Sequence, residues 1–133
     1  AMQAKQFTLA EANALVPWLE SVFRAVAPLS RELMDTRAEM DGLLRKAHGN
    51  GSSSHEQTLN EKRQAIHDLD HRIQESVGQV VERGIIVRDV DRGLVDFPSF
   101  RQGREVFLCW VWGEEQVAFW HETDAGFSAR QPL

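Results

Sequence analysis

Arg104-Glu-Val-Phe-Leu-Cys-Trp-Val-Trp-Gly-Glu-Glu-Gln-Val-Ala-Phe-Trp-His-Glu122 holds three of the four tryptophans, the single cysteine and a His-Glu pair. Apolar residues alternate at a period near two on both sides of Gly113-Glu114-Glu115. That is the pattern of two half-buried strands joined by a turn. We read Glu105 to Trp112 and Gln116 to Glu122 as a β-hairpin. Pairing Trp112 with Val117 sets Leu108 opposite His121 and Cys109 opposite Trp120.

Immediately upstream, Ile85-Ile-Val-Arg-Asp-Val90 is β-branched and reads as a strand. Asp91-Arg92-Gly93 suits a three-residue hairpin loop with glycine in the left-handed position. Leu94-Val-Asp-Phe97 returns, and Pro98 ends it. In this register Arg88 lies opposite Asp96, a favourable cross-strand pair, whereas a two-residue loop would put Asp89 there. Ser99 to Gly103 is a turn region. Thr123 to Leu133 reads as irregular, around Gly126, Pro132 and Phe127, a residue of a type usually buried.

Everything before Gly84 reads as two long helices. Thr8 and Glu11 make a capping box, with Phe7 placed as a hydrophobic staple. Ala12, Leu15, Leu19, Val22, Val26, Leu29, Leu33, Met40, Leu43 and Ala47 then recur at spacings of three and four, with Thr36 as the one polar member. This is a heptad seam, and Phe23 and Leu44 widen it. Pro17 and Pro28 fall inside the pattern on the side away from the seam, so they read as kinks, with a break near Pro17 as the alternative. His48 to His55, with two Gly and three Ser, is a flexible loop. Ser54 and Gln57 offer the next capping box. A second helix runs from about Glu56 to Arg83 on Leu59, Ile66, Leu69, Ile73, Val77 and Val80, and Gly84 ends it. A short connection makes the pair an antiparallel hairpin.

The expected architecture is α+β in a single domain over residues 1–133. A long, coiled-coil-like antiparallel helical hairpin (7–83) precedes a small antiparallel β-sheet of two hairpins with a C-terminal tail (84–133). Two helices alone bury only one seam, so a homodimer forming a four-helix bundle is expected.

Composition narrows the function. The chain has 133 residues, 42% hydrophobic and 26% charged, with net charge −5. An acidic chain does not suit generic nucleic-acid binding, which needs a basic face. No run is apolar and long enough to span a membrane, and no signal-peptide pattern is present. One cysteine builds no internal disulfide framework, so a reducing cytoplasm is the simplest compartment. No Gly-rich phosphate loop, nucleophile elbow or Cys-x-x-Cys pair occurs.

Several side chains carry chemistry. His121, Glu122 and Asp124 put an imidazole beside two carboxylates, as a metal site or proton relay would. Strand alternation sends His121 and Glu122 to opposite faces. In the register above Cys109 also faces away from His121, which speaks against a Cys/His dyad or a shared zinc site, and no metal ligand is assigned. Cys109 and the three tryptophans are sufficiently explained as sheet core. His67 and His71, four apart on one helix, can hold a metal, but they point away from the seam onto a solvated face. Arg101, Arg104 and Arg130 either gather an anion or pair with nearby acids as a structural network, and the abundance of acids favours the network.

At Phe7-Thr-Leu-Ala-Glu-Ala-Asn-Ala-Leu-Val-Pro17, Gly93-Leu-Val-Asp-Phe-Pro98, Glu105-Val-Phe-Leu-Cys-Trp110 and Trp120-His-Glu-Thr-Asp-Ala-Gly-Phe127, the sequence resembles a bacterial family of unknown function, domain of unknown function 2203. The resemblance implies a bacterial, cytosolic, single-domain protein and transfers no catalytic residue. The Asn13 and Pro17 pair matches the family's opening motif, which strengthens the alternative of a defined break at Pro17.

Two functions remain. The favoured one is a non-enzymatic interaction or scaffold module built on the dimeric hairpin, with a protein partner. The other is a small-molecule- or metal-binding protein, open to being an enzyme, with its cofactor unassigned. Its site would lie near the Trp-His-Glu hairpin and C-terminal tail, with Asp96, Arg104, His121, Glu122, Asp124 and Arg130 supplying polar groups. Convergence of these side chains in a concave pocket would favour the second.

Overall fold

The structure, a computed structural model, describes residues 5–50 and 53–133. Two helices, α1 (Leu9–Asn50) and α2 (Ser53–Glu82), precede five strands: β1 (Ile86–Asp89), β2 (Leu94–Arg101), β3 (Arg104–Val111), β4 (Phe119–Glu122) and β5 (Gln131–Pro132). The strands form one antiparallel sheet in chain order. The architecture is α+β, as the sequence periods indicate. No helix among the described residues is long and apolar enough to cross a membrane. The chain divides into two compact units, one running through Arg24 and resuming at Ser76, the other Ala25–Glu75.

The capping box forms. The Thr8 amide donates to Glu11 Oε1 at 2.9 Å, and the Glu11 amide to Thr8 Oγ1 at 3.1 Å. These bonds satisfy two amides that a helix start would otherwise leave open. Pro17 and Pro28 are exposed and lie inside one continuous helix. Pro17 therefore does not break α1. In the sheet-bearing unit Val16 and Phe23 join Ala12, Leu19 and Val22 as buried residues, whereas Leu15 is only partly covered. The buried face thus turns off the strict heptad seam. Here α1 covers a sheet, whose contact surface is broader than one helix. Phe23 meets Trp110 at 6.3 Å between ring centroids.

In the Ala25–Glu75 unit, Val26, Leu33 and Thr36 of α1 and Leu59, Leu69 and Ile73 of α2 are buried. Lys62 pairs with Glu39. Glu39 and Lys62 lie at nearly equal distances from the connection, as an antiparallel hairpin requires. The expected loop at 48–55 is shorter than anticipated. Helix continues to Asn50 and restarts at Ser53, while residues 51 and 52 lie outside the described residues. Ser54 is thus inside α2 and not its cap. Extending an existing helix adds one hydrogen bond per residue, which offsets the modest propensity cost of Gly and Ser.

Three expectations about the sheet are corrected. The first concerns β1 and β2, which pair Ile86 with Asp96, Val87 with Val95 and Asp89 with Leu94, so a bulge lies at Arg88. Arg88 is not directly opposite Asp96, yet its side chain still reaches that carboxylate.

The second concerns Pro98, which does not end β2: the strand continues to Arg101. Proline is tolerated where no ladder partner needs its amide. β1 pairs no further along β2 than Asp96, and Pro98 offers its carbonyl on the open edge to the Phe7 amide at 2.7 Å. Ser99 Oγ donates to the Phe7 carbonyl at 2.6 Å and completes that clasp.

The third concerns Gln131–Pro132, which forms a short strand on β4 where irregular chain was expected. The Leu133 amide extends it by donating to the Ala118 carbonyl at 2.9 Å.

Two glycines separate conformational need from space. Gly103 has φ 77° beside Gln102 at φ 52°, the two-residue turn that joins β2 and β3 without splaying them. Gly93 has φ 67°, and a Cβ there would meet Trp112 Cβ at 2.6 Å and Phe23 Cγ at 3.2 Å. Gly103→Ala carries left-handed strain alone, about 1–2 kcal/mol. Gly93→Ala adds overpacking of about 1–3 kcal/mol. Urea denaturation is expected to rank Gly93→Ala clearly below Gly103→Ala. Equal losses would show that the approach of Phe23 and Trp112 is not tight.

Candidate functional site

Register sorts the sheet residues onto two faces. Val95, Phe97, Ser99, Val106, Leu108, Trp110 and Trp120 share one face, and all are buried. Leu94, Asp96, Phe107, Cys109, Phe119 and His121 share the other. β3 and β4 pair Leu108 with Trp120 and Cys109 with Phe119. This is one residue away from the register expected of a tight hairpin, and a slip of one residue exchanges the faces. Cys109 and His121 therefore lie on the same side, contrary to the sequence expectation.

The physical reason is the connection. The Val117 amide donates to Asn13 Oδ1 of α1 at 2.6 Å and does not pair with Trp112. The Trp112 amide turns instead to the Gly93 carbonyl at 3.0 Å. The residues between are held by Glu114, which accepts the Val111 amide at 2.9 Å.

On this second face Asp96 and His121 are both buried. His121 Nε2 lies 2.9 Å from Asp96 Oδ1. Arg88 Nε donates to Asp96 Oδ2 at 2.8 Å. His121 Nδ1 lies 2.8 Å from the Glu122 carbonyl. A carbonyl only accepts, so Nδ1 carries a proton. Phe107 packs beside the imidazole, with centroids 5.5 Å apart, and the Arg88 guanidinium sits over the same ring at 5.1 Å.

Cys109 is fully buried and pairs in register with Asp96. Burial first, and the Asp96 charge second, push its thiol up to about 11, against the opposing pull of Arg130. It is a protonated thiol at neutral pH and not an activated nucleophile. One ligand atom from each of Asp96, Cys109 and His121 lies within 4.8 Å of the others.

The C-terminal segment walls this cluster. Arg88, Leu94, Asp96, Cys109 and residues 123–127 line a pocket of about 360 Å³. Arg130 forms a fork with Glu114 at 3.0 and 2.8 Å. Burial works against the charge of Arg130, but Glu114 outweighs it and holds its pKa above the usual value. The guanidinium lies between Phe119 at 4.0 Å and Phe127 at 4.3 Å, and Arg92 sits over Phe127 at 4.5 Å. Arg130 Nη1 is 4.0 Å from Cys109 Sγ.

The six residues expected at a site thus divide. Asp96 and His121 are bonded to each other, Asp124 lines the pocket that Asp96 and Cys109 also border, and Arg130 is tied to Glu114 beside Cys109. Arg104 and Glu122 instead form their own pair at 2.9 Å, away from the cluster. The three arginines weighed as an anion site do not converge. Arg101 stacks on Trp120 at 4.8 Å, while Arg104 and Arg130 each have their own acid. His67 and His71 are exposed, and His71 pairs with Glu75 at 3.1 Å. Cys109, Arg88 and Thr123 belong to the site and were not assigned to it from sequence. The register of a tight hairpin turns Cys109 away from His121 and so hides it. Asn13, a polar residue facing inward at the start of α1, was the one signal that the connection is not a tight turn.

No curated protein and no solved structure matches the chain. Over residues 5–133 it belongs to the family described as "Uncharacterized conserved protein (DUF2203)".

Proposed function

We propose that this protein binds a small polar molecule in the pocket on the second sheet face. One observation carries the reading: Asp96, buried and bonded to both Arg88 and His121, lines a pocket together with Arg88 and Cys109. Burying a carboxylate and an imidazole costs stability unless every lone pair is met. Concave sites that combine apolar walls with a few converging polar groups are the usual form of ligand sites. Leu94, Ala125 and Phe127 supply such walls here, and Thr123 and Asp124 supply exposed polar groups.

The unmatched charge selects the ligand class. The Arg88 charge is met by Asp96, whereas Asp124 has no ion-pair partner among the described residues. A ligand bringing hydrogen-bond donors, a small amine or polyol, complements that wall. The cytoplasm suits a chain whose one cysteine is a buried thiol.

A second reading, an interaction module that self-associates through the hairpin of the Ala25–Glu75 unit, is favoured by Met34 and Leu44, which are 61% and 38% exposed. Packing against a second copy would cover them in a four-helix bundle. Light scattering at micromolar concentration is then expected to give twice the 15.1 kDa chain mass, falling to one chain in Met34→Glu/Leu44→Glu. A monomeric wild type ends this reading.

For the pocket, thermal shift against a panel of small amines and polyols, with chelator present, is expected to yield a ligand that raises the wild-type midpoint by several degrees. A ligand at about 100 times its Kd adds about 2.7 kcal/mol, and each kcal/mol moves the midpoint of a chain this size by about 2–8 °C. Thr123→Val and Asp124→Asn, both at exposed positions, are expected to lose most of that shift while keeping the unliganded midpoint. A panel without a binder, or a binder indifferent to both substitutions, overturns the proposal.

A further inference from the structure

We propose that Asp96, Cys109 and His121 together hold one divalent transition-metal ion of the zinc class. The inference concerns the floor of the same pocket and stands whether or not a small molecule fills the space above it.

The histidine is the starting point. Its Nδ1 proton is committed to the Glu122 carbonyl, so a neutral ring has its lone pair at Nε2. That lone pair faces an Asp96 oxygen at 2.9 Å. Two acceptors that close repel unless a cation lies at the gap, either a proton or a metal ion. The fixed tautomer is the one metal sites use. A ligating imidazole donates its other N–H to a carbonyl or carboxylate, which orients the ring.

Cys109 separates the two cations. A proton shared between His121 and Asp96 needs no sulfur. The thiol nevertheless stands opposite Asp96 in register, fully buried, with its sulfur in the same 4.8 Å cluster. A four-coordinate zinc ion has Zn–N and Zn–O bonds of about 2.0–2.2 Å and Zn–S of about 2.3 Å, so its ligand atoms lie roughly 3.3–3.7 Å apart. The three ligand atoms already lie within 4.8 Å of one another, so binding requires the His121–Asp96 gap of 2.9 Å to open slightly and the sulfur to stand within that range. One sulfur, one imidazole nitrogen and one carboxylate oxygen suit zinc, cobalt or nickel and not magnesium or calcium, which prefer all-oxygen sites.

The surroundings are those of an open site. Arg88 occupies Asp96 Oδ2 and leaves Oδ1 as the single ligating oxygen. Arg130 lies 4.0 Å from the sulfur, placed to donate to a thiolate. Both cations are already matched, by Asp96 and by Glu114, so they do not leave an excess of positive charge against the ion. Three protein ligands would leave a fourth position for water or a substrate, as in catalytic zinc sites, and two of the three, Asp96 and Cys109, border the pocket together with Thr123 and Asp124. Uptake of the ion displaces the Cys109 thiol proton.

The test is titration of chelator-stripped protein with Co(II), followed by Zn(II). The expected result is one equivalent of cobalt with four-coordinate ligand-field bands and a thiolate-to-cobalt charge-transfer band, all displaced by zinc. The chain has one cysteine, so that sulfur band reports Cys109 even if a variant fails to fold. Cys109→Ser is expected to lose the sulfur band, and His67→Ala/His71→Ala to keep every band. Three outcomes overturn the proposal: no stoichiometric uptake by the wild type, uptake without a sulfur band, or uptake that disappears in His67→Ala/His71→Ala. Because the titration contains only metal, its failure leaves the small-molecule reading standing. A small molecule that fails to bind likewise leaves the metal site standing.

Discussion

The hydrogen bond from the Val117 amide to Asn13 Oδ1 decides what the sheet presents on its second face. A strand edge is pinned wherever its amides find partners. Had Val117 paired with Trp112, β4 would lie one residue further along β3, and His121 would turn toward α1. Trp120 would then face outward. The helix start thus sets a register 104 residues away in sequence. The same region is tied a second time, where Phe7 meets Pro98 and Ser99. Phe7, just before α1, and Asn13, in its second turn, thus hold the sheet at β2 and at the β3–β4 connection.

That dependence explains what the sequence made legible and what it did not. Local signals read correctly. Thr8 and Glu11 cap α1, Gly93 adopts positive φ, the period changes after Gly84, and Arg88 joins Asp96 despite a bulge. Each depends on residues within a few positions of one another. Failures came where a partner distant in sequence replaced a local one. Pro98 reads as a stop because proline lacks an amide, but its carbonyl is what the open edge of β2 needed. Gln131–Pro132 has no strand pattern of its own and pairs only because β4 leaves an edge. Cys109 and His121 were assigned to opposite faces by a hairpin rule that Asn13 overrides. The candidate site was therefore half legible: Asp96, His121, Asp124 and Arg130 were recognisable as residue types, but not the face that unites most of them.

The two faces also divide the energetics. One face, with Phe97, Leu108, Trp110 and Trp120 beside Phe23, holds the apolar core that folding of this unit depends on. The other places two ionisable groups and a thiol where the core has tryptophan. Replacing both partners of a buried hydrogen bond with apolar groups of similar shape is often neutral or stabilising. Stability alone therefore does not account for Asp96 and His121. Their geometry does more than satisfy them, since it fixes one imidazole tautomer and leaves a single oxygen of Asp96 beside it.

The C-terminal segment turns this polar face into a pocket. An antiparallel sheet can leave its second face to water, but here residues 123–132 fold back beside it and dock through stacked charges. Arg130 lies between Phe119 and Phe127, Arg92 caps the stack, and Glu114 fixes Arg130 from the β3–β4 connection. Guanidinium–ring contacts are worth about 0.5–2 kcal/mol each, more as water is excluded, and a forked carboxylate adds direction. The docking uses little apolar burial, since Phe127 is only partly covered and Thr123 and Asp124 are exposed. A wall held by oriented charges and two rings leaves the space beneath it unfilled, whereas a wall of packed aliphatic side chains would close it. The same Glu114 that holds Arg130 also accepts the Val111 amide at the end of β3. The wall of the pocket and the connection that sets the register are therefore secured at one carboxylate.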